Sequence, residues 1–238
     1  MNDNPQSNHL VLLPGMMCDE RLYKAQVNAL DEQYNVAVLP ITDHDTIQAL
    51  AADALARAPQ RFALAGLSMG GIVALEMWRQ APHRIQKLAL LDTNFRAEMP
   101  ERQAQREPQV AAVMSGGLEK TIRQELFPQY LAASHADDQA LEELIVDMGL
   151  RLGREVFARQ SFALRDRPDS ADTLATIDCP TLVLCGDEDR LCSPELHEEM
   201  ASRIAPAELQ IIAKCGHLST LDQPDATCEA LRIWLKRE

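Results

Sequence analysis

The sequence has few aromatic rings, a deficit of positive charge and no long apolar runs. Two Trp, three Tyr and five Phe are its whole aromatic content over 238 residues, so aliphatic side chains must supply most of any core. Lys and Arg number 23 against 36 Asp and Glu, a formal charge of −13. No dense Lys/Arg run is present, and without a basic patch to release counterions a nucleic-acid partner is not expected. No stretch reaches the ~20 continuous apolar residues of a membrane span, so no membrane partner is expected. Residues 1–8 carry Asp3 and no Lys or Arg. The short apolar run at 10–13 therefore lacks the basic flank and length of a signal peptide, and a cytoplasmic location is expected. The six cysteines (Cys18, Cys179, Cys185, Cys192, Cys215, Cys228) show no Cys-x-x-Cys spacing, which reads as reduced, buried thiols. No His/Cys/Asp cluster has ligand spacing, so neither a metal nor an organic cofactor is expected.

Against these absences stands an apolar content of 46%. For a 26.5 kDa chain the area scaling law gives roughly 10,700 Å² of folded surface against about 38,000 Å² unfolded, enough burial for one large core. Short runs rich in Val, Ile and Leu recur at 9–13, 35–39, 62–66, 87–92, 181–185 and 208–213, each bounded by Gly, Pro or Asp, as buried strands are. Helical periodicity fills 19–31, 45–58, 69–81, 194–204 and 225–237, with Asp45 and Ser193 as N-cap candidates and Pro194 in a first turn. Alternating helices and continuously apolar strands define a parallel sheet covered on both faces. The alternation breaks between Asn94 and Asp178, where helices are expected at 100–114, 118–127, 138–150 and 153–165. A structureless loop of that length would be improbable in a compact domain, so this segment reads as a helical insertion closing over one end of the sheet.

The strongest local signal is Gly66-Leu67-Ser68-Met69-Gly70-Gly71, between a strand and a helix. A Gly-x-Ser-x-Gly at such a turn is a nucleophile elbow: small neighbours let the chain pass closely while the serine sits in a strained conformation. A serine hydroxyl is a weak nucleophile near neutral pH and needs a base, which a third group must orient. Further on, Gly186-Asp187-Glu188-Asp189 follows one strand and Lys214-Cys215-Gly216-His217 follows the next. His217 alone among six histidines stands on a loop after a strand and is the expected base. His9, His44, His83, His135 and His197 read as solvated. Three carboxylates crowd the acid loop, and residue types alone leave Asp187, Glu188 and Asp189 open.

The order Ser, Asp, His and these motifs resemble the alpha/beta-hydrolases, in particular the small lidded serine esterases that include pimeloyl-carrier-protein methyl ester esterases, enol-lactonases and carboxylesterases. The resemblance spans nearly the whole chain. Gly-x-x-Asp followed by Pro, as in Gly186 to Asp189 with Pro194, looks like that family's acid loop and implies Asp189, with Asp187 structuring the turn. It also implies an oxyanion hole made by the backbone N–H groups of Met69, after the nucleophile, and Met16, in Pro14-Gly15-Met16-Met17. The family often has His where this chain has Pro14, which removes a side chain able to brace that loop. The implied fold is an alpha/beta-hydrolase with a mostly parallel sheet of about six strands, its leading hairpin shortened or absent. Residues 1–94 and 176–238 would form the core and 95–175 an inserted helical lid.

The expected activity is hydrolysis of a carboxylic ester, thioester or lactone of a small, largely aliphatic substrate through an acyl-enzyme, with Ser68, His217 and Asp189 as triad. Carbon–carbon bond hydrolysis and perhydrolysis use the same triad and remain open, because fold does not fix substrate. A ligand-perceiving or scaffold protein that keeps the fold without turnover is a reading of another class. Scarce aromatics imply a pocket lined mainly by Met, Leu, Val and Ala, with Met16, Met17 and Met69 converging on it. Cys18 and Cys215, near the active loops, read as packing. Arg96, Arg102, Arg106 and Arg123 are equally candidates for a carboxylate or an acidic carrier protein, although surface solvation is the preferred reading of each; a carrier protein and homo-oligomerisation stay open.

Overall fold

A computed structural model of the chain describes residues 8–237. Strands β1 (His9–Leu13), β2 (Asn35–Val38), β3 (Phe62–Leu67), β4 (Ile85–Leu91), β5 (Thr181–Gly186) and β6 (Ala207–Ile212) pair in the order β2-β1-β3-β4-β5-β6, and every pair is parallel. Helices α1 (Lys24–Leu30), α2 (Ile47–Arg57) and α3 (Met69–Gln80) fall between the first four strands. Between β4 and β5 lie α4 (Pro100–Ala112), α5 (Leu118–Thr121), α6 (Gln139–Leu152), α7 (Arg154–Arg165) and α8 (Ala171–Leu174). The chain closes with α9 (Pro194–Ser202), α10 (Ser219–Asp222) and α11 (Pro224–Leu235). The expectation about a leading hairpin rests on residues 1–7, which lie outside the described residues.

Continuous apolarity in the strands follows from their cover. β3 and β5 are buried at every position, as strands flanked by helices on both faces must be. β6 differs: as the edge strand it leaves Glu208, Leu209 and Ile211 exposed. α3 is buried along its residues 69–78, whereas α4 buries Val110 alone. The folded surface of the described residues is 10775 Å², close to the scaling value.

Local departures have local causes. α2 is capped by Thr46, whose hydroxyl accepts from the Ala49 amide at 3.3 Å, rather than by Asp45. Ser193 holds the N-cap backbone position of α9 without a side-chain capping bond. The helix expected over 118–127 is α5 followed by one wide turn at Ile122–Leu126.

The strand order turns back on itself at β1, whose neighbours β2 and β3 lead away in opposite directions. Open parallel sheets bind ligands in the crevice outside the carboxyl ends of strands at such a switch point. Here those ends are Leu13, running into Pro14-Gly15-Met16, and Leu67, running into Ser68.

Candidate active site

Ser68 joins β3 to α3 with φ 54 and ψ −116, a left-handed conformation that side chains rarely adopt. The glycines around it explain how the turn closes. A Cβ on Gly66 would overlap the Gly70 carbonyl, and one on Gly70 would overlap the Leu13 carbonyl and lie 2.7 Å from the Pro14 oxygen. The Ser68 amide donates to the Leu91 carbonyl at 2.9 Å, and its own carbonyl accepts from the Gly71 amide and from Thr93 Oγ1 at 2.6 Å.

His217, on the loop after β6, brings Nε2 to 2.8 Å from Ser68 Oγ. Its Nδ1 lies 2.9 and 3.1 Å from the two oxygens of Asp189, so the network assigns the proton to Nδ1 and leaves the Nε2 lone pair facing the hydroxyl. Asp189 Oδ1 also accepts the amides of Leu191 and Cys192 at 2.8 and 2.9 Å. Of the three carboxylates on that loop, only Asp189 reaches the imidazole. Asp187 is exposed and accepts from the Cys215 amide, and Glu188 accepts from the Ala133 amide.

Electrostatics follow the same line. Burial alone would push the Asp189 carboxyl up, but the imidazolium and the amide hydrogen bonds outweigh it and hold the group below its ordinary range. Burial opposes charging of His217, and the carboxylate of Asp189 beside it overcomes that penalty and raises its pKa.

The Met69 amide opens α3, where N–H groups have no intrahelical acceptor. Among the described residues, neither it nor the Met16 amide donates to a protein acceptor. Both side chains line a cavity of about 270 Å³ together with Ser68 and His217. The brace lost with Pro14 is supplied from elsewhere: Gln160 on α7 accepts from the Met17 amide at 2.9 Å and donates to the Ile41 carbonyl. Met17 is buried and does not line the cavity, contrary to expectation. Cys18 and Cys215 are buried away from it, while Cys192 lines it.

The lining differs from the expected aliphatic one. No Val or Ala takes part; Met16, Met69, Ile72, Leu126, Leu164 and Leu191 face Arg102, Arg106, Arg167 and a group of Gln and Asn side chains. Arg96 and Arg123 are elsewhere, the first paired with Glu199 and the second with Glu119, Glu142 and Glu143. A larger cavity, about 510 Å³, borders Ala63, Ile85 and Pro180 at the amino ends of the strands, the end of the sheet where this architecture does not place ligands.

Several buried polar groups escaped sequence reasoning. His197, read as solvated, is fully buried: Nε2 accepts from the Thr93 amide at 3.0 Å and Nδ1 lies 3.0 Å from the Ser193 carbonyl. Burial lowers its pKa, so a neutral imidazole stands behind the Thr93 that holds Ser68. Asp92, at φ 46 after β4, accepts from the Ser219 amide at 3.1 Å. Burial, reinforced by the charge of Asp189, pushes it up to about 8. Asp222 accepts the Gly216 and Ala132 amides at 2.5 and 2.8 Å and pairs with His135. His217 is thus pinned on either side by buried carboxyl groups, with Tyr130 stacked at 5.9 Å between centroids. Among the described residues, Asp189, Cys192 and His217 bring ligand atoms within 4.8 Å of one another, but both nitrogens of His217 already serve Ser68 and Asp189.

Comparison with known proteins agrees with this architecture. The chain belongs to the alpha/beta hydrolase family, whose model matches residues 10–230; it is a hydrolase of alpha/beta fold. It is 25% identical over 242 residues to (E)-2-((N-methylformamido)methylene)succinate hydrolase of Acinetobacter baylyi, covering 95% of this chain and 90% of the relative. A pimeloyl-[acyl-carrier protein] methyl ester esterase of Neisseria meningitidis is 26% identical over 72% of this chain and 67% of its own length. Among solved structures, a thermophilic esterase from Thermogutta terrifontis, with malate bound, superposes with a TM-score of 0.87 at 30% identity, over 96% of this chain and 89% of that one. The enol-lactonase from Burkholderia xenovorans shares the fold with a TM-score of 0.88 at 23% identity, over 99% and 94%.

Proposed function

We propose that this hydrolase cleaves a carboxylic ester, thioester or lactone of a small substrate through an acyl-enzyme. The observation that carries the reading is the continuous hydrogen-bonded line from Ser68 Oγ through His217 to Asp189. Ser68 Oγ attacks the carbonyl carbon as His217 Nε2 takes its proton. Asp189 holds the imidazole in the tautomer that allows this and stabilises the imidazolium that forms. The Met16 and Met69 amides receive the oxyanion, worth about 2.7–4 kcal/mol per donor in such sites. Collapse of the tetrahedral intermediate breaks the bond to the leaving oxygen or sulfur, which takes the proton from His217. Water, deprotonated by His217, then hydrolyses the acyl-serine. Residues 95–175, carrying α4 to α8, act as a lid whose side chains select the substrate. The esterase and hydrolase names of the relatives support this choice of reaction.

Ser68→Ala should abolish turnover of 4-nitrophenyl butyrate, and an alkyl fluorophosphonate should modify Ser68 stoichiometrically by mass spectrometry. Full turnover by Ser68→Ala, or a label on another residue, would refute the mechanism.

A further inference from the structure

We infer that the substrate carries a carboxylate remote from its reacting carbonyl, and that Arg102, one turn before Arg106 on α4, recognises it. The inference rests on the hydrolase reading above for which bond is cut, but the anion site stands on its own residues. α4 turns Arg102, Gln105, Arg106 and Gln109 toward the cavity that Ser68 and His217 line. These are positions i, i+3, i+4 and i+7, the spacing at which a helix normally presents its apolar stripe to a core. Here the stripe is two guanidiniums and two amides.

Charge counting around the cavity leaves a surplus. Glu98, its side chain fully buried, accepts a hydrogen bond from Arg106 at 2.8 Å and forms an ion pair with Arg167 at 3.1 Å. One carboxylate thus serves two guanidiniums. Among the described residues, Arg102 has neither a hydrogen bond nor an ion pair. Other arginines on this acidic surface do find carboxylates: Arg96 pairs with Glu199, Arg165 with Glu107 and Asp166. No Asp or Glu lines the cavity, although acids outnumber bases 36 to 23 in the chain. The walls therefore carry a net positive charge, and among the described residues no carboxylate pairs with Arg102.

That charge is felt inside the site. Arg102 works against the charged form of His217 and favours the thiolate of Cys192, and Arg102 and Arg106 both disfavour the charged form of Arg167. A guanidinium fork with neighbouring amides matches a carboxylate by paired N–H donors. Opposite it, Met16, Met69, Ile72 and Leu164 offer an apolar track for a short alkyl chain. The 270 Å³ of space equals the liquid volume of roughly nine waters, suited to a half-ester of a short dicarboxylic acid or a lactone bearing one acid group.

The test compares monomethyl adipate with methyl hexanoate by pH-stat titration at low and at 0.5 M salt, a ~3-fold contraction of the Debye length from 0.05 M. The half-ester should be preferred about tenfold or more in kcat/KM, mostly through KM, and the preference should shrink with salt. Arg102→Gln should collapse the ratio between the two esters, and Arg102→Lys should restore part of it. Because Arg102 is exposed and has no protein partner, neither variant leaves a buried charge behind. Calorimetric titration of Ser68→Ala with adipate and with hexanoate reads the same site without turnover, and adipate should bind more tightly and lose that advantage in the Arg102→Gln background. Equal kcat/KM for the two esters, an unchanged ratio in Arg102→Gln, or adipate binding no tighter than hexanoate overturns the inference. Competition by inorganic phosphate as strong as by adipate overturns the carboxylate assignment. Failure to cleave either ester counts against the ester reading instead, and the adipate titration then decides the anion site by itself.

Discussion

Replacing Ser68 separates two properties that the elbow combines, the proposed nucleophile and a strained backbone. A non-glycine residue held at φ 54, ψ −116 costs on the order of 1–3 kcal/mol. Glycine adopts that region freely but adds unfolded-chain entropy worth about 0.5–1 kcal/mol. Both Ser68→Ala and Ser68→Gly lose the hydroxyl and its bond to His217, so their difference isolates the backbone term. Ser68→Gly should therefore be more stable than Ser68→Ala by about 0.5–2 kcal/mol, a rise in Tm of roughly 1–8 °C for a domain of this size. Thermal and urea unfolding of the two variants measure it, and turnover should be lost in both. Ala52→Gly, exposed in the middle of α2, is the control: the same chemical change at an unstrained helical site should destabilise by about 1 kcal/mol. If Ser68→Gly is no more stable than Ser68→Ala while the control behaves, the turn stores no strain and the reasoning fails.

Three more outcomes follow from the site. Because the pKa of His217 is raised, kcat/KM should climb with pH through a midpoint above the ordinary 6.5; Asp189→Asn should bring the midpoint down and cost about 10³-fold or more in kcat, and an unmoved midpoint would contradict the pairing. The His217 contribution to stability is fully present below its unfolded pKa and is lost as pH rises through the raised folded value, whereas that of Asp189 is lost as pH falls through its lowered one. Asp92, raised from 3.8 to about 8, penalises the fold increasingly as pH rises between those values, by about 1.4 kcal/mol per pH unit. Asp92→Asn should thus match the wild type near pH 5 after correction for a constant offset and gain on it steadily to pH 8; parallel Tm curves would show that Asp92 is not held protonated. Gly70→Ala sets a methyl group against the Leu13 and Pro14 carbonyls, so it should destabilise by about 1–3 kcal/mol through overpacking and slow turnover by displacing the Met16 amide; unchanged stability by urea unfolding would show that the contact yields.

What the sequence disclosed was what local chemistry controls. The elbow was legible because close passage of the chain at Gly66 and Gly70 admits few alternatives to glycine, and the strands because cover on both faces demands apolarity at every position. β6 was read as buried from its Leu and Ile content, although as an edge strand it is half open. Choosing Asp189 over Asp187 needed the family pattern, since three acids share one turn and their directions depend on the amides of Leu191 and Cys192. The Arg102 stripe was hidden for a different reason: polar residues at helical spacing read as a solvated face, and only the packing of α4 against α7 aims them at the cavity. His197 and Asp222 were missed because their partners, Thr93 and His135, lie 104 and 87 residues away, and a neutral buried imidazole has no local signature.

α4 buries Val110 alone, yet it carries four of the side chains that face the cavity. On the proposed reading, chemistry and selectivity are drawn from different stores: the reacting groups hang from closely packed strand ends, while the selecting groups sit on a helix that buries little. Exchanging Arg102 or Gln105 costs the fold little, whereas Arg106 is tied to Glu98 and Gln109 donates to Glu125 at 2.7 Å. If α4 selects the substrate as proposed, exchanges on this one helical face would retune the cavity from acid-bearing to neutral substrates while the line from Ser68 through His217 to Asp189 stays in place. The same division makes α4 the place to begin when redirecting this protein by design.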